Sequence, residues 1–396
     1  MKRLLSILFW SVISAAFIGP GTVTTAASSG AHYGFSLLWA LLFSTVACVI
    51  LQEASARLTV VSGKNLGQTI TWRFRQGAGR YLSVWLIMAS IWLGCAAYEA
   101  GNILGGAAGA GLATGLSPKI LALAIGVLAA LLLYFGTTRI VANLLGALVA
   151  MMGIVFFVTA ITLRPAILPL LRGLFIPRIP SGSALLVIGL IGTTVVPYNL
   201  FLGSGIARGQ DLGELRFGLG MAIALGGIIS MAVLVVGSSV TGPFSFSGIA
   251  DALAAKLGTW ARPFFAFGLF AAGFSSAITA PLASAITAKS LFGKDSDIWA
   301  EKSWRYRSIW ISVLLIGLLF GISDVKPIPA IILAQALNGI LLPFVAVFLF
   351  LMVNNKQLLG RYRNSLWLNL LTGLVVLVTL LLGATNVIKA IQRVLG

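Results

Sequence analysis

The chain has 396 residues, 59% of them hydrophobic and 9% charged, with a mean hydropathy of +1.03. Soluble domains carry about 25% charged residues, so a large water-soluble core is excluded and an integral membrane protein is implied. The net charge of +18 does not indicate nucleic acid, because the basic residues lie in short stretches between apolar runs, where Lys and Arg act as topology signals.

Apolar runs long enough to span a bilayer, about 20 residues each, fall at 5–31, 35–57, 81–111, 118–136, 143–163, 184–206, 217–240, 263–291, 306–322, 329–353 and 365–385, eleven in all. The opening MKRLLSILFWSVISAA imitates a secretory signal, with a basic start, an apolar centre and small residues after it. Cleavage near Ala16 would remove half of a helix pair, so the stretch is read as a first half-helix. Directly after it comes Ile18-Gly19-Pro20-Gly21-Thr22-Val23-Thr24-Thr25. Pro20 removes a backbone donor and its neighbouring glycines resist helix. In hydrocarbon such a break survives only when buried in protein or lining a wet cavity.

The sixth run contains a second interruption, Thr193-Thr194-Val195-Val196-Pro197-Tyr198-Asn199. Broken helices in corresponding positions of two halves are the best sequence pointer to a transporter's substrate site. Unwound backbone is predicted at 19–22 and 194–199, facing one pocket halfway across the bilayer. The breaks open two sets of five spans, and five is odd, so the second set enters from the opposite side. The predicted fold is therefore all-α, with about eleven transmembrane helices in a 5+5 inverted repeat whose first and sixth helices are broken. One transporter domain covers 1–396, with repeat one at about 5–163, repeat two at about 184–353 and an extra helix at about 365–385. With the N-terminus cytoplasmic, 18 of the 27 Lys and Arg fall on the inner side, including Arg75 and Lys294. This bias favours that orientation, and a bacterial inner (cytoplasmic) membrane is the predicted location.

Of nine acidic residues, seven lie in loops, Asp295 among them. Glu53 precedes Arg57 by four, the favourable helix-pair spacing, and is read as structural. Glu99 lies near the middle of the third span, where no basic residue clearly within a span neutralises it. A carboxyl group at that depth either keeps its proton or faces water, and its functional reading is a proton carrier or cation contact. His32 is read as a surface or gate histidine, and Cys48 and Cys95 as small buried hydrophobes. The breaks carry hydroxyls and amides (Thr22, Thr24, Thr25, Thr193, Thr194, Tyr198 and Asn199), and the tenth span adds Gln335 and Asn338. No nucleophile–His pair, P-loop or paired carboxylates support enzymatic activity, and no cofactor is implied.

The stretch GPGTVTTAASSGAHYGFSLLWALLFSTVACVILQEASARLTVVSGKNL resembles the NRAMP metal-transporter family, which carries DPGN in its broken first span, then GYxLLW and LLQxxSARLGxVTGK. GTTVVPYNLFLGS resembles that family's GATVMPHNLYLHS, and AAGFSSAITAPLASAI and LAQALNGILLPF resemble its eighth and tenth spans. The resemblance covers nearly the whole chain in order. It implies the LeuT-like fold shared with many amino-acid transporters, and proton-coupled uptake of divalent metal ions. The departures fall on the metal ligands: the family's Asp corresponds to Gly19, its Asn to Thr22, its Met to Val196, and two histidines to Tyr198 and Gly203. Pro20, Gly21, Pro197, Asn199 and Gln335 are retained, and AYEAGN brings Glu99 near a family acidic position.

The predicted substrate site is Gly19, Gly21, Thr22, Thr194, Val196, Tyr198, Asn199 and Gln335. Glu99 is the proton-coupling candidate; Thr22, Asn199, Gln335 and Glu99 are the candidate metal contacts. The first functional reading is proton-linked import of a divalent metal cation through an altered, carboxylate-poor site. The alternative is a small organic or anionic solute, such as an amino acid or carboxylate, met by the free N–H groups of the broken helix. A third reading, a receptor that kept the fold, is discouraged by the lack of a signalling domain.

Overall fold

A computed structural model describes residues 2–74, 76–136, 139–293 and 297–395. Arg75, Lys294 and Asp295, used in the charge reading above, lie outside the described residues. Every regular element among the described residues is helical. Among the described residues, ten helical segments are long and apolar enough to cross a membrane, the broken pair Ala184–Ile206 counted as one. The predicted run 5–31 corresponds to two shorter pieces, α1 (Lys2–Phe17) and α2 (Pro20–Tyr33).

The chain continues through α3 (Leu38–Ser62), a short α4 (Leu66–Arg73), α5 (Ala78–Thr114), α6 (Pro118–Phe135) and α7 (Arg139–Thr162). A nine-residue α8 (Ile167–Phe175) follows, then the second broken pair, α9 (Ala184–Thr194) and α10 (Pro197–Ile206). Beyond it come α11 (Leu212–Gly237), α12 (Phe246–Leu257), α13 (Ala261–Phe292), α14 (Trp304–Ile322) and α15 (Pro327–Val353). The chain closes with α16 (Lys356–Leu359) and α17 (Leu366–Leu395). Helix starts follow local chemistry. Asp211 accepts from the Gly213 and Glu214 amides ahead of α11, Asn65 and Gln68 form a capping box at α4, and Ser303 caps α14.

With no hydrophobic drive between helices in lipid, close packing needs small residues. A Cβ on Gly192 of α9 would overlap the Gln335 carbonyl of α15, and one on Gly237 of α11 would overlap the Ala27 carbonyl of α2. Gly106 and Gly273 bring α5 and α13 into backbone contact in the same way. These approaches set α2 and α9 among α5, α11 and α15, so both breaks lie deep in the bundle.

The side on which α1 begins is called the near side, and the side on which α2 ends the far side. The near side is tied shut. Arg57, buried at the end of α3, forms an ion pair with Glu53 at 3.1 Å and donates to Asn364 Oδ1 at 2.7 Å and to the Tyr362 carbonyl. Arg216 of α11 joins the same Glu53 at 2.9 Å. The Glu53–Arg57 pair is thus structural, as its spacing predicted. Ser204, in the last turns of α10, bonds the Thr59 hydroxyl and the Leu66 amide, each at 2.7 Å.

Candidate substrate site at the two helix breaks

Both breaks are shorter than predicted. Helix resumes at Pro20 in the first pair, and in the second it runs through Thr194 and restarts at Pro197. Only Ile18-Gly19 and Val195-Val196 are non-helical, so the expectation of unwound backbone at 19–22 and 194–199 is corrected. The reason is that proline at the first helical position loses a donor with no intrahelical partner anyway, and its fixed φ suits helix. The residue before each proline is extended, Gly19 at φ −120°, ψ −173° and Val196 at φ −80°, ψ 123°. Pro281 and Pro343 stay inside α13 and α15 without breaking them; each follows a good helix former, Ala280 or Leu342.

A half-helix ending at mid-bundle leaves carbonyls without partners, and here hydroxyls take them. Thr22 Oγ1 donates to the Phe17 carbonyl and lies 2.7 Å from Thr193 Oγ1, which locks the two breaks together. Tyr98 of α5 places its hydroxyl 3.3 Å from the Gly192 carbonyl and 3.2 Å from that of Thr193. Tyr198 reaches the Ala16 carbonyl at 3.5 Å and meets the Tyr98 ring edge to face, with centroids 5.8 Å apart. The C-terminal ends of α1 and α9 therefore carry a cluster of carbonyl oxygens, each facing an O–H that rotation can withdraw.

The other predicted residues divide. Gly21 lies against Gln335: a Cβ there would overlap the Gln335 amide, whose Oε1 is buried without a partner. Asn199 is buried with neither amide atom paired. Thr194 turns its hydroxyl back to Leu190 at 3.0 Å and Val196 contributes only backbone polarity. Gly19 has the Ser276 hydroxyl 3.3 Å from where its Cβ would stand. The structure brings Gly19, Gly21, Thr22, Tyr198 and Gln335 to the breaks.

Glu99 takes another direction. It is fully buried and packs against Gly317 of α14, with Oε2 accepting from Asn102 at 3.3 Å and Oε1 unpaired. Tyr98, one residue earlier and so about 100° round the helix, is the α5 side chain that enters the breaks. It was not among the predicted site residues; the signal for it was a tyrosine hydroxyl inside an apolar span, which needs a partner when buried. Among the described residues, no three His, Cys, Asp or Glu gather into a metal-holding group.

A cavity of about 780 Å³ opens on the far side between α2, α5, α12 and α15. It is lined by Ser28, His32, Ala107, Lys326 and Ile332 among others. His32 is exposed there, with Nδ1 2.8 Å from the Ser28 carbonyl. Ser28 is six residues along α2 from Thr22, about 9 Å at helical rise, so the cavity stops short of the breaks.

Two relatives named divalent metal cation transporter MntH are each 30% identical. The one from Chromohalobacter salexigens aligns over 95% of this chain and 88% of its own length, and the one from Deinococcus radiodurans over 91% and 84%. Among solved structures, a point mutant of the Eremococcus coleocola manganese transporter superposes with a TM-score of 0.76 at 20% identity, covering 98% of this chain and 87% of that one. MhsT in complex with L-phenylalanine superposes at 0.63 and 16% identity over 96% and 98% of the two chains. At these identities the structures establish the fold, the LeuT-like inverted repeat. The model of the natural resistance-associated macrophage protein-like (Nramp) family matches residues 11–389, and the chain belongs to that family.

Proposed function

We propose that this protein is a secondary-active transporter that imports a divalent metal cation, linked to protons, through the two helix breaks. It works as one unit built of repeats at about 5–163 and 184–353 plus the helix at about 365–385. The N-terminus lies in the cytoplasm of a bacterium and the chain in its inner membrane. The observation that carries this reading is the oxygen cluster at the half-helix ends, the carbonyls of Ala16, Phe17, Gly192 and Thr193 each facing a hydroxyl. Carbonyl and hydroxyl oxygens are hard ligands, suited to Mg²⁺ or Mn²⁺ that keeps part of its water. Gly21, Thr22, Tyr198, Asn199 and Gln335 line the passage in this account, Gly19 and Val196 supply its backbone, and Thr194 shapes the end of α9. Family membership ranks the metal above the organic-solute alternative.

Glu99 carries the coupling proton from its place between α5 and α14. Its contacts with Asn102 and Gly317 favour a relay role over direct ligation of the ion. Proteoliposomes given Mn²⁺ or Mg²⁺, and in parallel a panel of amino acids and carboxylates, test the whole reading. The expected result is metal uptake that rises with an inward proton gradient and is pH-independent in Glu99→Gln. Uptake of an organic solute with no metal flux refutes it.

A further inference from the structure

An apolar crevice of about 430 Å³ lies at the far side, away from the breaks, between α7 and α11. Phe157 and Ile161 of α7 and Ile228 and Met231 of α11 wall it, and α8 covers it through Ile167 and Leu170. The cover is fixed in place. A Cβ on Gly173 would overlap the Phe35 carbonyl, so α8 lies directly on the turn between α2 and α3. Trp39 Nε1 donates to the Arg178 carbonyl at 2.8 Å, and the Tyr33 hydroxyl to that of Ser181 at 3.3 Å.

At 100° per residue, Ile167, Leu170 and Leu174 of α8 form one face, on the crevice. Leu168, Leu171 and Phe175 form the adjoining arc and are exposed, and Arg172 stands at the margin of that arc. This is the pattern of a helix lying in the membrane interface. Arg164 sits next to Pro165 of the crevice wall, at φ 48° in the left-handed region that a bulky residue seldom adopts. Arg164, Arg172 and Arg178 are exposed, and among the described residues none has an ion-pair partner. The far-side carboxylates Asp324 and Asp251 are taken by Lys119 and Arg262. The site thus joins a hydrocarbon slot open to the bilayer with unneutralised guanidinium groups at headgroup level.

We propose that this crevice binds an anionic glycerophospholipid, one acyl chain entering between α7 and α11 beneath α8, the phosphate held by Arg164 beside the crevice wall and Arg172 adding positive charge on the outer side of α8. A zwitterionic lipid offers the same chain with its phosphate charge offset by its own ammonium, so it forfeits most of the arginine contribution. Because α8 rests on the α2–α3 turn, an occupied site braces the outer half of the first broken helix.

Native mass spectrometry of the full-length protein in detergent, titrated with phosphatidylglycerol and with phosphatidylcholine of identical chains, tests this. The expected result is a preference of about tenfold for phosphatidylglycerol. In Arg164→Gln/Arg172→Gln, changed only on the exposed surface, the two lipids bind alike. Ala232→Trp, which fills the crevice from α11, reduces retention of both lipids. Equal binding of the two lipids by the unaltered protein overturns the proposal. So does an unchanged preference in the arginine variant, or a dimer that covers this face and retains no lipid.

Discussion

The Thr22 hydroxyl donates to the Phe17 carbonyl and accepts from Thr193, so one small side chain closes the first break and ties it to the second. Thr22→Val keeps the shape and removes both links. Its expected cost is about 1–2 kcal/mol of stability, seen as a lower thermal midpoint in detergent, together with a loss of metal uptake. Thr22→Ser restores both, and a valine variant that transports normally removes Thr22 from the site. The hydroxyls and amides of the breaks were readable from the sequence because they interrupt apolar runs. Their partners were not, since Tyr98 and Glu99 are adjacent in sequence yet point to different neighbours, the breaks and α14. A one-residue difference in helical phase decides which of them enters the site, and span-level hydropathy carries no phase.

At the scale of elements, each of the eleven predicted spans corresponds to a helix or a broken helix pair, mostly with ends a few residues apart, such as 81–111 against Ala78–Thr114; the last helix runs on to Leu395, past the predicted end at 385. Membrane thickness and the backbone's need for internal hydrogen bonds fix such lengths strongly. The breaks were located correctly and drawn too long, because proline disrupts the interior of a helix yet suits its first turn. The short helices α4, α8, α12 and α16 were not foreseen. Each lies in a connection too brief for hydropathy to register, and α8 is recognisable only by its one-sided apolar arc. The near-side tie also exceeds what the sequence displayed: Glu53 and Arg57 are visible as a helix pair, but Asn364 and Tyr362 join it from more than 300 residues away. Arg57→Met leaves those acceptors buried without their donor. Thermal unfolding should register a loss of about 3 kcal/mol, and an unchanged midpoint would show the tie to be slack.

For the molecule as a whole, a cavity of about 780 Å³ opens on the far side while the near side is held by Arg57, Arg216 and Ser204. On the proposed orientation, with the N-terminus in the cytoplasm, the tied near side faces the cell and the far-side cavity, reaching to Ser28, faces outward. The native Cys48 and Cys95 are buried, so a single introduced thiol reports access cleanly. Ala108→Cys, on the cavity wall, should react with a membrane-impermeant thiol reagent applied to intact cells. Reaction only from the cytoplasmic face of inverted vesicles would reverse the orientation. The central claim, that the ion passes between the carbonyl-bearing ends of α1 and α9, is tested most directly by anomalous diffraction at the manganese edge from crystals soaked in Mn²⁺. The account predicts a peak between Phe17, Thr22 and Thr193, close enough for carbonyl oxygens to ligate it directly or through one water. A peak confined to the far-side cavity beside His32, with the breaks still sealed by their hydroxyls, would contradict it.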